Sequence, residues 1–506
     1  MSLLISSARP FAISATRRRH RCAPARRHGM SMVLMSLLLV VLAGFVSLAV
    51  DVGRVRLAKS ELQTAADAAA FAGANGLIQA PQGVDIAEDG AITVGAENKD
   101  IDVDPARGGR INSPVTMVPD EDVEFGIWRP QSGNVDAHFE ALTSNGGGVD
   151  ERREANAVRA WGRRVTSYVN SSGNTVERGT GLKLMFAPVL PNGPTNGEIQ
   201  AKATAMLTGG DTSTGFVGID WVKFNGGTGT DSFNADTESY PGVGGPNKNS
   251  AVSSDGDIEL DGNATIWGDA HPGIFGSITP SPLSDNVVVT GYMNPLDYQL
   301  QPLYPMPAFS PKPVVQCNLA GSIDPPGALK SNLSFAPNGN TTLQMPSNGA
   351  KVAYFYFKDW TEKSKDNVTI DNRFGQIFIW VDGDFTENAQ SSVQVLSDTN
   401  KVFLFVNGNL KMDGGGILQP ATAKPNTLNI FVTKANTSVS VGGSPTMSAH
   451  IYAPGSDVKV NGNANGPYGY FGTIVGKSLF VTGGSQLHYD ETGKPKHEDL
   501  KVHLVE

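Results

Sequence analysis

The stretch MSMVLMSLLLVVLAGFVSLAV, residues Met30–Val50, decides how this chain must fold. It contains 21 residues and no charge, and a helix needs roughly 20 apolar residues to cross about 30 Å of hydrocarbon. Backbone groups in lipid must be hydrogen-bonded within their own segment, so an isolated span can only be a helix. The sequence therefore predicts a transmembrane helix over residues 30–50, in contact with membrane lipid.

The two flanks of this span differ in charge. Residues 1–29 contain seven arginines and no acidic residue, whereas the other flank opens with Asp51. The flank with the larger basic excess stays in the cytoplasm. We therefore expect residues 1–29 to form a basic cytoplasmic segment and residues 51–506 to lie outside the cytoplasm.

Processed leaders are the alternatives to a retained anchor. A cleaved signal peptide has an apolar core of roughly 7–15 residues and then a small-x-small site, but the core is longer here and SLAVDVGR offers no clean site. Gly29 could precede a prepilin cut, yet the fifth residue after it is Leu34 rather than Glu. Residues 1–29 are also Arg- and Ser-rich, like an organelle transit peptide. A retained anchor is the simplest interpretation; cleavage, and a start codon at Met30, stay open.

The residues after the span continue the helix. Residues 51–74 contain no proline, and alanine fills seven of the ten positions 65–74. Small and apolar residues recur every three or four positions from 55 to 72, and Asn75-Gly76 supplies a stop. The pattern predicts an Ala-rich helix outside the membrane over residues 51–75. Its small-residue stripe suits either packing on the chain's own domain or helix–helix self-association.

Composition bounds the rest of the chain. Without the seven arginines of residues 1–29, the 40 basic residues fall to 33 against 49 acidic ones, so we expect no nucleic-acid binding. Cys317 is the only cysteine beyond the span, since Cys22 precedes it. Packing rather than a disulfide must hold the outer part. The 58 glycines and 31 prolines indicate turn-dense β structure.

Residues 211–506 repeat one design, in which a short alternating strand meets Gly or Asn and another strand begins. Examples are 256–269, 402–412, 438–443, 457–463 and 478–487. Such strands favour a β-solenoid, whose turns bury each other's apolar faces; a β-sandwich is the alternative. The predicted fold class is mainly β: a small β-rich domain over 76–210, then a solenoid-like domain over 211–506 with an insertion near 280–350.

The acidic clusters are the candidates for chemistry. Asp255, Asp257 and Asp261, and Asp382 with Asp384, are the residues that a carbohydrate-active β-helix enzyme would use. Each cluster lies beside glycine at a corner, where aspartate favours turns through its own side-chain bonds. Asp382 and Asp384 also offer oxygen ligands for calcium, but without the twelve-residue loop pattern. We expect no catalytic, metal-binding or cofactor-binding residue here.

The histidine, serine and cysteine side chains likewise form no catalytic or metal-binding motif. His450 and His488 lie in predicted strands, and no H-E-x-x-H motif joins histidines into a zinc site. The G-x-S-x-G elbow of serine hydrolases does not occur in the sequence. We interpret Cys317 as a small buried hydrophobe. The sequence therefore predicts a protein that is not an enzyme and needs no cofactor.

The transmembrane span and the Ala-rich helix after it resemble part of a known family. The run from Arg26 to Ala74 resembles the N-terminal module of TadG-like proteins, from the tight-adherence (Flp) pilus assembly systems of bacteria. The basic lead-in, the span exit at 49–54 and the alanine block at 62–70 carry it. Motifs at 123–128, 156–160, 184–187 and 203–206 extend it through residue 207. Residues 451–455 through 488–491 resemble the C-terminal domains of pilus-associated, PilX-like surface proteins.

The resemblance implies a single-pass protein of the bacterial inner membrane that is a structural or accessory part of a pilus assembly or secretion apparatus. Its partners would be proteins of that machinery. A membrane-anchored surface adhesin is the runner-up, and a carbohydrate-active enzyme is third. Some family members carry a metal-binding D-x-S-x-S motif; the nearest string here, Asp211–Gly215, ends in Gly, so that metal site is not expected.

Overall fold

The computed structural model describes most of the chain beyond residue 27. The described residues are 28–79, 83–103, 110–115, 117–119, 121–131, 135–142, 151–169, 173–178, 181–189, 193–208, 215–237, 240, 245–279, 288–300, 304–307, 319–320, 334–337, 339–344, 351–388, 390–413, 417–418, 424–443, 447–462, 469–493 and 501–505.

Two α-helices open the described chain. Helix α1 spans His28–Gly76, 49 residues, and ends at the Asn75-Gly76 pair as the sequence predicts. Helix α2, Gly83–Glu97, lies in the segment expected to be β-rich. Its buried residues Val84, Ala87 and Ala91 recur at the three- and four-residue spacing of a helix. Sequence reasoning missed this second helix. Short 3₁₀ turns occur at Leu77–Gln79, Glu151–Glu154, Ala187–Val189, Pro425–Thr427 and Glu491–Gly493.

Small antiparallel sheets follow the helices. Their strands are β1 Lys99–Val103, β2 Arg110–Pro114, β3 Val123–Arg129, β4 His138–Ala141, β5 Ala157–Arg164, β6 Ser167–Val169, β7 Thr175–Glu177, β8 Leu182–Lys183, β9 Asn196–Gly197 and β10 Ile199–Thr208. The main sheet has the order β35-β10-β5-β3-β4, in which β35 is the C-terminal strand Lys501–Leu504. The end of the chain therefore returns to the sheet that precedes the large domain.

The large domain is built from short strands. They are β11 Phe216–Asn225, β12 Gly229–Phe233, β13 Ser250–Ser254, β14 Ile258–Asp261, β15 Thr265–Ile266, β16 Gly268–His271, β17 Ile278–Thr279, β18 Val288–Val289, β19 Leu319–Ala320, β20 Asn340–Gln344, β21 Val352–Phe357, β22 Trp360–Thr361, β23 Asn367–Asp371, β24 Gln376–Val381, β25 Phe385–Glu387, β26 Ser392–Val395, β27 Val402–Val406, β28 Leu410–Met412, β29 Ile417–Leu418, β30 Leu428–Val432, β31 Thr437–Gly443, β32 Met447–Gly462, β33 Tyr470–Thr482 and β34 Gln486–Asp490.

These strands form a parallel solenoid. Ile377 pairs with Val402, and Val402 pairs with Leu428, so these two turns take 25 and 26 residues. Among strands β11–β18 and β20–β34, every pairing of strands that the structure describes is a parallel ladder. Examples are β21–β24, β25–β28 and β23–β26. A sandwich of hairpins would pair its strands antiparallel. The mainly β fold class is confirmed, and the sandwich alternative is wrong.

The order of turns along the solenoid differs from their order in the sequence. Phe216, in the first turn, pairs with Val252 of the second turn on one side and with Ile474 of the last turn on the other. The first turn therefore lies between the second and the last, and we call the junction of β11–β12 with β33–β34 the seam.

One column of buried side chains shows that the seam does not interrupt the core. Each member pairs with the next across a parallel ladder, and each is at most 3% exposed. Such columns of apolar side chains bury the face that a single turn could not bury alone. The column consists of Phe355, Ile379, Leu404, Ile430, Ile451, Ile474, Phe216, Val252 and Ala270.

The segment expected to be an insertion, near 280–350, contains solenoid strands. Strand β18 pairs with β15, and β20 pairs with β23, both in parallel. These two strands lie in turns at opposite ends of the stack. Between them in the sequence, Leu296 and Leu300 pack against Val217 and Val475, whose side chains alternate with those of the core residues Phe216 and Ile474 and so lie outside the turns.

The chain divides into two compact units. Among the described residues, one contains 28–57 with 183–197, and the other contains 58–182 with 198–505. The solenoid and the five-stranded sheet thus belong to the same unit. Helix α1 contributes residues to both units.

Candidate functional site: an apolar helix and the corners of the solenoid

The first half of helix α1 is exposed along its whole apolar length. No residue between 31 and 50 is buried, and Met32 and Met35 are 79% and 73% exposed. The hydroxyls of Ser36 and Ser47 donate to the carbonyls of Val33 and Ala43, so neither needs water as a partner. The helix is long and apolar enough to cross a membrane, by length and composition.

Asp51, directly after this apolar run, holds a distant part of the chain. Its carboxylate accepts hydrogen bonds from the backbone N–H groups of Met185 and Phe186, each at 3.0 Å, and of Ala187 at 2.7 Å. Asp51 is 4% exposed, so its charge is compensated by these donors rather than by water. The three donors open the 3₁₀ turn Ala187–Val189.

The second half of α1 buries its small-residue stripe within the chain. Leu62, Ala65, Ala66, Ala69 and Ala70 are 0% exposed. The stripe faces the five-stranded sheet: a methyl group on Gly162 of β5 would lie 2.8 Å from the carbonyl oxygen of Leu62. Gln63 Nε2 also donates to the carbonyl of Lys202 on β10, at 2.9 Å. These buried side chains pack within the chain, whereas Leu57 and Phe71 of the same helix are 41% and 48% exposed. Helix–helix self-association through 55–72 therefore stays a prediction.

The first acidic cluster lies at the corners of the second turn. Asp255 Oδ1 accepts the N–H of Leu300 at 2.6 Å. Asp257 Oδ1 accepts the N–H of Ser277 at 2.8 Å and its hydroxyl at 3.1 Å. Asp261 forms an ion pair with Lys223 at 2.9 Å. The three carboxylates bind three different segments instead of converging on one point.

The second acidic cluster forms ladders between turns. Asp384 Oδ1 accepts the backbone N–H of Asn409 at 2.7 Å, and Asn409 Oδ1 accepts the N–H of Ser438 at 3.0 Å. Asp382 Oδ1 accepts from Asn407 Nδ2 at 3.3 Å. Each side chain therefore satisfies a donor on the following turn. In the part of the chain that the structure describes, no group of three or more His, Cys, Asp or Glu side chains could hold a metal ion.

The two histidines occupy different surroundings. His450 Nδ1 lies 2.8 Å from Thr473 Oγ1, and burial lowers the pKa of His450. His488 crosses the seam: its Nδ1 lies 2.6 Å from Asp231 Oδ1. Asp231 Oδ2 also accepts the hydroxyl of Tyr240 at 2.8 Å. Among the described residues, His488 Nε2 is buried without a hydrogen-bond partner.

A column of stacked aromatic rings lies on strands β24, β27 and β30 of neighbouring turns. Trp380 stacks on Phe405 with ring centroids 5.1 Å apart, and Phe405 stacks on Phe431 at 5.0 Å. Trp380 is only 7% exposed. The ring of Tyr452 follows that of Phe431. Its hydroxyl donates to the carbonyl of Pro305 at 2.8 Å, so Pro305 lies beside this end of the aromatic column.

Some sequence expectations fall outside the described residues. These are Cys22, Cys317, the basic segment 1–27, and the string 211–214 that stands in place of a metal motif.

Comparison with known proteins finds a family match over the N-terminal helix. The family model for TadE/G-like proteins of Flp pilus assembly matches residues 29–76, which is helix α1 without its first residue, His28. The N-terminal module is TadE/G-like. The description of the matched family names pilus assembly, and the match covers the N-terminal helix alone.

Other matches add less. The model of a domain of unknown function, DUF7305, matches residues 320–494, which include the segment that resembles PilX-like proteins. No curated protein matches the sequence. Among solved structures, the chain is similar to the competence-associated pilin ComZ from Thermus thermophilus, at 12% identity and a TM-score of 0.22 over 80% of this chain and 91% of that one. A TM-score this low carries no conclusion about the fold.

Two clusters of contacting polar and aromatic side chains were not predicted from the sequence. Asp231 and Tyr240 are 9 positions apart, but His488 is 257 positions from Asp231, so no local spacing predicted this cluster. Glu362 is 0% exposed and accepts the indole N–H of Trp360 at 2.7 Å. The W-x-E spacing carried a signal, because residues two apart on a strand share one face.

Proposed function

We propose that this chain is a single-pass, membrane-anchored structural or accessory component of a Flp-type pilus assembly apparatus. Residues 30–50 cross the bacterial inner membrane, residues 1–29 lie in the cytoplasm, and the sheets and solenoid lie outside it. Its partners are proteins of the pilus machinery.

One observation carries the proposal. The Tad match and the fully exposed apolar run coincide on the same helix. An exposed run of this length would aggregate in water, because soluble proteins rarely leave large contiguous apolar patches uncovered. Lipid is the environment that accepts it, and the arginines of residues 1–29 favour the cytoplasmic side for that end.

The other half of the molecule supports a structural rather than a catalytic role. The acidic side chains that an enzyme would use are bound to backbone or side-chain donors of neighbouring turns. Catalytic carboxylates of a glycosidase instead face one another across the scissile bond at about 5–9.5 Å. The solenoid acts in this proposal as a rigid body held by its own stacked core.

Deletion of the gene tests the role. The strain should lose surface pili, seen by electron microscopy, and the wild-type chain should restore them. Asp384→Asn serves as a matched control, because it leaves the anchor intact and should restore piliation equally. Intact pili in the deletion strain would reject the pilus role; loss of surface binding with pili intact would favour the adhesin.

Topology needs a separate measurement. In a Cys22→Ser, Cys317→Ser background, Thr195→Cys should react with a membrane-impermeant maleimide in intact spheroplasts. A cysteine placed at Ser7 should react only after lysis. The reverse labelling pattern would place the large domain in the cytoplasm.

A further inference from the structure

Two large apolar side chains stand exposed beside the end of the proposed span. Met185 is 54% exposed and Phe186 is 37% exposed. The backbone N–H groups of both residues are bound to Asp51. Residues 183–197 also belong to the same compact unit as the apolar helix.

The helix sets the height of these side chains relative to the membrane. Asp51 follows the last residue of the apolar run, and a helix rises about 1.5 Å per residue. The hydrogen bonds of 3.0 Å to Asp51 keep Met185 and Phe186 at this level. The polar interface outside the hydrocarbon is about 5–7 Å thick on each side, so both side chains lie within it.

We propose that residues 184–187 form a second membrane contact, in which Met185 and Phe186 enter the boundary between lipid headgroups and acyl chains beside the helix. The proposal rests on the transmembrane placement of residues 30–50. Its partner is the lipid bilayer, because both side chains are apolar and exposed at the level of Asp51, where the helix itself still exposes Val50 and Val52, at 41% and 42%.

Asp51 fits this role chemically. Irregular backbone near hydrocarbon must have its N–H groups satisfied by protein, and an uncompensated carboxylate at that depth would be costly. The three hydrogen bonds meet both demands at once. Arg56, an exposed residue five positions further along the helix, lies about 8 Å further out, where a basic side chain attracts anionic lipid headgroups.

Depth measurement on the full chain tests the proposal. In the Cys22→Ser, Cys317→Ser background, the single-cysteine variants Met185→Cys, Leu37→Cys and Lys363→Cys would carry an environment-sensitive NBD label. The protein would be reconstituted in vesicles of phosphatidylethanolamine and phosphatidylglycerol, with and without doxyl-labelled lipid. We expect the labels at Leu37 and Met185 to be quenched by doxyl lipid, and the label at Lys363, an exposed residue of the solenoid, to be quenched several-fold less.

The outcomes separate the two proposals. Quenching at Leu37 but not at Met185 would overturn the second contact and leave the anchor standing. No quenching at Leu37 would overturn the anchor itself. Asp51→Ala in the Met185→Cys protein should reduce quenching to the level of Lys363→Cys, while Leu37→Cys stays quenched. Unchanged quenching at Met185 would show that Asp51 does not position the segment.

Discussion

His488 Nδ1 lies 2.6 Å from Asp231 Oδ1, across the seam where the last turn of the solenoid meets the first. The two residues are 257 positions apart in the sequence. Both are in strands of one parallel ladder, β12 with β34, and the ring of Tyr240 lies 4.0 Å from that of His488, centroid to centroid. A buried polar contact therefore joins the two ends of the solenoid chain.

Asp231→Ala should destabilise the seam. It removes the acceptor of both His488 Nδ1 and the Tyr240 hydroxyl, and a buried polar group left without its partner costs about 1–3 kcal/mol. We expect the free energy of unfolding to fall by about 3 kcal/mol, measured by denaturant unfolding in detergent.

Asp220→Ala is the matched control for the seam. Asp220 also lies in the first turn and faces Lys477 of the last turn, but at 3.9 Å and with its side chain 52% exposed. Exposed pairs contribute at most about 1 kcal/mol. Equal losses in the Asp220 and Asp231 variants would contradict a specific role for the buried contact.

Glu362 should make the solenoid less stable as the pH rises. Burial, with a smaller contribution from Asp366, raises the pKa of Glu362 from 4.5 to about 7. Between these values the folded chain binds more protons than the unfolded chain, so the free energy of unfolding falls with rising pH. The full loss, roughly 3 kcal/mol, is reached above about pH 7.

Denaturant unfolding at about pH 5 and about pH 8 measures this loss. Glu362→Gln should remove the slope, because the amide stays neutral and its oxygen can still accept the Trp360 indole N–H. Glu259→Gln, at a carboxylate 47% exposed, should keep it. A slope that persists in Glu362→Gln would assign the titration to another group.

The corner ladder should be sensitive to loss of its acceptor. Asp384→Ala leaves the N–H of Asn409 without the bond it makes at 2.7 Å, and we expect a loss of about 1–2 kcal/mol. Asp384→Asn retains an amide oxygen in the same place and should lose less. An unfolding midpoint of Asp384→Ala equal to that of the wild-type chain would mean that the bond contributes nothing to stability.

Close packing of α1 on β5 should not tolerate a methyl group. In Gly162→Ala the new carbon would lie 2.8 Å from the carbonyl oxygen of Leu62, so the helix or strand must shift, at a cost of about 1–3 kcal/mol. Gly90→Ala in α2 is the control: its nearest atom is 3.6 Å away, and alanine favours a helix by about 1 kcal/mol. Thermal unfolding should lower the midpoint for the first and not for the second.

The local features of this chain were predictable from its sequence. An uncharged run of 21 residues admits only a helix if it enters lipid, and the Ala-rich continuation to Asn75-Gly76 obeys the same local rules. Alternating apolar residues between Asn and Gly corners likewise predicted stacked short strands. Helix α2 could have been predicted from Val84, Ala87 and Ala91, but glycine at position 90 and the surrounding β-like segments obscured it.

What only the tertiary structure decided concerns contacts between distant parts of the chain. No local pattern shows that the turn at Phe216 inserts between Val252 and Ile474, because every turn has the same alternation and could stack on any other. The same reason hid the contact of Asp51 with Met185 and that of Asp231 with His488. Short-range periodicity determines which face of a strand or helix is apolar; the neighbour that covers that face is selected by packing of the whole chain.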